Sequence, residues 1–95
     1  MEIESNRNGN KLKLKPIGRV DTLTAPDLEA AIMLDGVDEL EFDLAAVDYI
    51  SSAGLRVLLS AQKKMMNGKM TLFNACAAVK EVFDITGFSD IFTFA

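Results

Sequence analysis

The chain has no histidine and only one cysteine, Cys76, in its 95 residues. Without an imidazole, neither a Ser-His-Asp nor a Cys-His nucleophilic arrangement can be assembled, and an ordinary structural zinc site lacks its ligands. One cysteine cannot form an intramolecular disulfide. Placed between Ala75 and Ala77 beside a predicted helix start, it is expected to be a small buried hydrophobe. Long hydrophobic runs are missing as well. No apolar stretch approaches the ~18 residues of a membrane span, and the N-terminus carries no basic-then-apolar leader pattern. These absences predict a soluble, cytoplasmic protein with no metal, no cofactor and no membrane insertion. An excess of basic residues is also absent. A formal net charge of −4 argues against binding nucleic acid, which needs clustered Lys and Arg. Lys11, Lys13 and Lys15 alternate along one predicted strand and read as the solvated side of an edge strand.

Hydrophobic residues make up 49% of the chain, enough for one core over residues 1–95 and too few residues for a second. A domain of this size buries roughly 60–65% of its unfolded surface, which predicts modest stability. Residues 2–6 read as a first strand closed by an Asn8-Gly9 hairpin turn. Leu12 and Leu14 alternate with the lysines in a second strand, where Pro16 predicts an edge or a bulge before Ile17–Val20 continue it. Thr24-Ala-Pro-Asp27 opens a helix over 26–34, stopped by Asp35-Gly36. Asp38-Glu-Leu-Glu-Phe-Asp-Leu44 alternates acid with apolar, a third strand whose acids read as solubilising surface.

A short loop then leads to a helix opening on Ser51 and Ser52, striped by Leu55, Leu58 and Leu59 and stopped by Asn67-Gly68. Met70–Asn74 reads as a fourth strand buried largely on both sides. Val79, Val82 and Phe83 mark a third helix ended by Gly87. Phe88, Ile91, Phe92 and Phe94 form an apolar tail read as core packing. Strands alternating with helices predict an α/β domain, with residues 40–74 as a parallel strand–helix–strand crossover. No internal repeat or low-complexity linker interrupts it.

The serine pair is the chemically informative point. Serine is a preferred N-cap, and free backbone N–H groups with the helix dipole also favour a phosphate there. Gly54 in the first turn costs about 0.8–1 kcal/mol relative to alanine, so something must require it; close approach of a partner backbone or a nucleotide is one reason. Ser52 as an enzymatic nucleophile finds no histidine base and no Gly-x-Ser-x-Gly elbow, so the chain is not read as an enzyme.

Tyr49-Ile-Ser-Ser-Ala-Gly-Leu-Arg-Val-Leu-Leu59 resembles the signature of STAS domains, in particular the anti-sigma factor antagonists. Gly18-Arg-Val-Asp21 with Thr24 and Ala25 resembles that family's first block, and Asn74-Ala75 and the helix end at Gly87 also fit. The likeness covers residues 11–94. It implies a single STAS-like domain with a mixed four- to five-stranded sheet and helices packed on it. Ser52 falls on the family's phosphorylated position, with Ser51 as second choice. Ser51 stands where many members have Asp, Ala53 where they have Ser or Thr, and Arg56 where some have glycine. The resemblance implies an unphosphorylated form that binds an anti-sigma factor, itself a serine kinase using Mg-ATP, and so frees a sigma factor. Phosphorylation of Ser52 would switch this off and a PP2C-type phosphatase would reset it. Asp21, Asp48, Ser51, Gly54 and Arg56 are the expected partner-facing residues. The alternative is a constitutive STAS adaptor of a transporter or signalling scaffold without phosphate control.

Overall fold

The computed structural model describes residues Met1–Ala95, in the order β1 (Glu2–Asn8), β2 (Lys11–Val20), α1 (Ala25–Ala31), β3 (Glu39–Asp43), β4 (Val47–Ile50), α2 (Ser52–Lys64), β5 (Lys69–Phe73), α3 (Ala77–Thr86). β1 and β2 form an antiparallel hairpin in which Asn8 faces Lys11. The turn residues are therefore Gly9-Asn10, one place later than expected, with Gly9 at φ 63. β3 joins β2 in parallel through Lys11↔Glu39 to Leu14↔Phe42, and β5 joins β3 in parallel. The sheet is a mixed, five-stranded one in the order β1-β2-β3-β5, with β4 paired to β2.

β4 corrects the sequence reading, which took this stretch as loop. Its burial runs buried, exposed, exposed, buried rather than alternating, so the two-residue period was absent. It is a strand because it pairs in parallel with the far half of β2, from Gly18↔Val47 to Val20↔Ile50. β2 is accordingly an interior strand, not an edge. Pro16 is tolerated there because it falls between the segment of β2 paired to β3 and the segment paired to β4. The irregularity expected at Pro16 lies at Gly18/Arg19, where the register shifts and Gly18 adopts φ 102.

One face of the sheet carries Leu12, Leu14, Leu40, Phe42, Met70 and Leu72, all buried with Leu28, Leu55, Leu58, Val79 and Phe83 of the three helices. The lysines of β2 and the acids of β3, which read as separate solvated sides, share the other face. Lys11 Nζ lies 3.2 Å from Glu41 Oε2 and 4.0 Å from Glu39 Oε2. Such cross-strand charge pairs hold register more than they add stability. β5 is buried on both sides at Thr71, while Phe73 is half-buried. α1 ends at Ala31, short of the expected Leu34.

α3 stops at Gly87, which takes the left-handed φ 78 that a side chain resists. The tail then returns alongside β5, with the Leu72 N–H donating to the Thr93 carbonyl at 2.8 Å and the Ala95 N–H to the Leu72 carbonyl at 3.0 Å. Phe92 and Phe94 meet Phe83 edge-on, at centroid distances of 5.4 and 5.2 Å. Cys76 departs from expectation. It is exposed at the N-cap of α3, with Sγ 3.7 Å from the Val47 carbonyl oxygen.

Candidate functional site

β2 and β4 are parallel and end side by side at Val20↔Ile50, so the segments that follow them meet at one end of the sheet. The Ser51 N–H donates to the Val20 carbonyl at 2.8 Å, which brings the serine pair beside Asp21. Ser51 has the extended backbone of an N-cap (φ −96, ψ 175), and its Oγ accepts the Gly54 N–H at 3.4 Å. Its carbonyl accepts the Leu55 N–H at 2.9 Å. Ser51 thus serves the helix itself. Ser52 is the first helical residue, is exposed, and its hydroxyl has no hydrogen-bond partner within the chain. The two serines, alike in sequence, differ here in whether the hydroxyl is free.

Asp21 shapes the neighbouring turn. Its Oδ1 accepts the N–H groups of Leu23 at 3.0 Å and Thr24 at 3.1 Å, while its own N–H donates to Thr24 Oγ1 at 2.8 Å. Thr24 Oγ1 in turn donates to the Arg19 carbonyl. Arg19 Nε lies 3.6 Å from Asp21 Oδ2, and its guanidinium stands 4.4 Å from the centre of the Tyr49 ring. Arg19 and Tyr49 were not singled out from the sequence. They face each other because β4 pairs with β2, so only recognition of that strand would have joined them. Leu23, 86% exposed, is a third residue not foreseen at this end.

Asp48 is exposed on β4 and makes no ion pair or side-chain hydrogen bond. Arg56 is exposed one turn beyond Ser52 and likewise unpaired. Gly54 differs from expectation. It is buried, and a Cβ there would lie 2.6 Å from Val20 Cγ1, 2.8 Å from Ile50 Cγ1 and 3.1 Å from the Val20 carbonyl oxygen. The close approach that requires glycine is therefore internal, between α2 and the ends of β2 and β4, and not to a partner or a nucleotide. Gly54→Ala is expected to destabilise by about 1–2 kcal/mol, the overpacking of 1–3 kcal/mol being partly offset by alanine's better helix propensity. Urea denaturation followed by circular dichroism measures this, and a variant at least as stable as wild type would contradict it.

Two carboxyls near these junctions ionise more readily than usual. Thr24 N–H lowers Asp21, helped by Leu23 N–H, the Thr24 hydroxyl and Arg19, against a smaller opposing effect of burial. Ala45 N–H lowers Asp43, helped by the side chain of Asn74 at 3.1 Å and by Lys15 and Lys13. Asn74 takes a left-handed φ of 60 to do so. Because both folded-state values lie below the ordinary carboxylate value, their stabilisation is complete above that value and is lost as pH falls through the folded ones. Acidification from about pH 6 to about pH 3 should therefore lower the denaturation midpoint, and less so in Asp43→Asn. Equal losses in the two proteins would show that Asp43 contributes nothing to the acid limb.

A family model described as STAS domain matches residues 2–95. The anti-sigma-B factor antagonist of Listeria monocytogenes is 32% identical over 90 residues, covering 90% of this chain and 79% of that protein. BtrV of Bordetella bronchiseptica, a candidate anti-sigma factor antagonist, is 42% identical over 83 residues, covering 82% of this chain and 72% of its own. The unphosphorylated form of the antagonist SpoIIAA shares the fold at a TM-score of 0.84 and 16% identity, over 99% of this chain and 88% of that one.

Proposed function

Because the chain belongs to the STAS domain family, among its anti-sigma factor antagonists, we propose that it acts as a binding module controlled by phosphorylation of Ser52. Residues 1–95 act as one cytoplasmic STAS domain that performs no catalysis. In the unphosphorylated form it binds an anti-sigma factor, and a sigma factor is released. The anti-sigma factor is also the kinase. Ser52 Oγ forms a bond to the γ-phosphorus of Mg-ATP, the bond to ADP breaks, and the hydroxyl proton passes to a base of the kinase. A PP2C-type phosphatase hydrolyses the phosphoserine and restores the binding form.

The observation that carries this reading is the contrast between the serines: Ser51 Oγ is committed to the Gly54 N–H, whereas the Ser52 hydroxyl is exposed and free. With it we assign Asp21 and the exposed, unpaired Asp48 and Arg56 to the partner-facing surface. Ser51 contributes by holding the helix start, and Gly54 by letting α2 sit close to the sheet. A phosphate at this helix start gains from the dipole, so it alters the surface without unfolding the domain.

The test is incubation of the chain with its cognate anti-sigma kinase and Mg-ATP, followed by peptide mass spectrometry. One phosphoryl group on Ser52, absent from Ser52→Ala, is the expected result. An unmodified chain that still binds the kinase, with that kinase active on another antagonist, would overturn the switch and favour a constitutive adaptor.

A further inference from the structure

A groove of about 800 Å³ runs between α1 and α2 and starts at Ala53, next to Ser52. Its floor is made of the buried Ala25 from α1 and Val57 from α2 with the half-buried Ala53, and Ala30 is exposed on the α1 side, because short side chains keep the facing ridges of the two helices low. Its rim is charged. Arg56 and Lys64 stand eight residues apart on α2, about 12 Å along the same side of the helix, and Glu29 faces them from α1. None of the three forms an ion pair. α2 carries Arg56, Lys63 and Lys64 and no acid, in a chain whose net charge is −4. The groove is therefore a locally cationic, apolar-floored trough that opens onto the Ser52 site.

We propose that this groove receives an acidic amphipathic helix of the anti-sigma factor that recognises Ser52, its apolar side on Ala30 and Val57 and its carboxylates on Arg56 and Lys64. The inference rests on the Ser52 reading and adds where the rest of the partner lies. It also supplies a physical link between the two. Ser52 and Arg56 are spaced i, i+4 on α2, so a phosphate on Ser52 draws the guanidinium to itself and away from the partner's acid. Phosphorylation then acts twice, by placing charge at the contact and by occupying the groove's leading cation.

Calorimetric titration of the full chain with its anti-sigma kinase tests this, using Ala30→Glu, Glu29→Lys and Ser52→Asp. Ala30 and Glu29 are exposed, so both variants should melt like wild type. Ala30→Glu is expected to weaken binding by about tenfold or more and Glu29→Lys to tighten it by about threefold, both effects shrinking with added salt. If both bind within about twofold of wild type while Ser52→Asp still weakens binding, the groove proposal fails and the Ser52 reading stands. If Ser52→Asp has no effect, the premise fails and the groove proposal with it. Groove amides whose NMR shifts change on diluting the chain alone would assign the groove to a second copy and overturn the proposal.

Discussion

Phosphorylated chain, or the Ser52→Asp variant, is expected to bind the anti-sigma factor far more weakly than unmodified chain while keeping the same fold. A phosphoserine brings about −1.5 to −2 charges, and desolvating it in an interface or opposing it to an acid costs several kcal/mol. A cost of about 3–4 kcal/mol corresponds to a loss of roughly 100- to 700-fold in affinity. Aspartate carries less charge and fewer acceptor oxygens, so a loss of about tenfold to a hundredfold is expected for it. Ser52→Ala should bind within about threefold of wild type, because the cap at Ser51 is untouched. Calorimetry on the three proteins measures this, with circular dichroism to show that the helices persist. Wild-type affinity in the phosphorylated protein would remove the switch, whatever the family does elsewhere. The same experiment on Ser51→Ala separates the serines. It should lower stability by about 1 kcal/mol through the lost cap and leave the affinity per folded molecule nearly unchanged.

The second large effect concerns the fold that carries the site. Phe83 is fully buried and meets both Phe92 and Phe94 edge-on, so it ties α3 to the C-terminal tail that pairs with β5. Phe83→Ala removes a whole ring from this cluster and is expected to destabilise the protein by about 3–5 kcal/mol. In a domain of this size that shifts the melting midpoint by roughly 12–40 °C downward, a large share of the total stability. Thermal and urea denaturation measure it. A shift below about 1 kcal/mol would mean that the tail is dispensable to the core.

Much of this architecture is legible in local pattern. The alternation of Leu12 and Leu14 with lysines, the helical stripe of Leu55, Leu58 and Leu59, the stop at Gly87 and a cap at the serine pair all depend on residues within a turn or two of each other. Where the reading failed, the deciding neighbour was far away in the chain. Val47–Ile50 has no strand alternation and becomes one only by pairing with β2. Pro16 suggested an edge, yet it occupies an interior strand because two different neighbours share that strand's length. The lysines and acids looked like independent solvated sides until β2 and β3 set them opposite each other. Cys76, apolar by its flanks, is exposed at a cap.

By itself, then, the order of residues determined the succession of strands and helices apart from β4, the hydroxyl pair at the start of α2 and the family to which the motif points. These are short-range matters, governed by side-chain periodicity and by capping chemistry. Only the tertiary structure decided which serine is free, why Gly54 must be glycine and that Arg19 stands over Tyr49. The last two depend on the parallel pairing of β2 with β4, a contact across some thirty residues that no local period encodes, and the first on the backbone that Ser51 takes where its N–H meets the Val20 carbonyl.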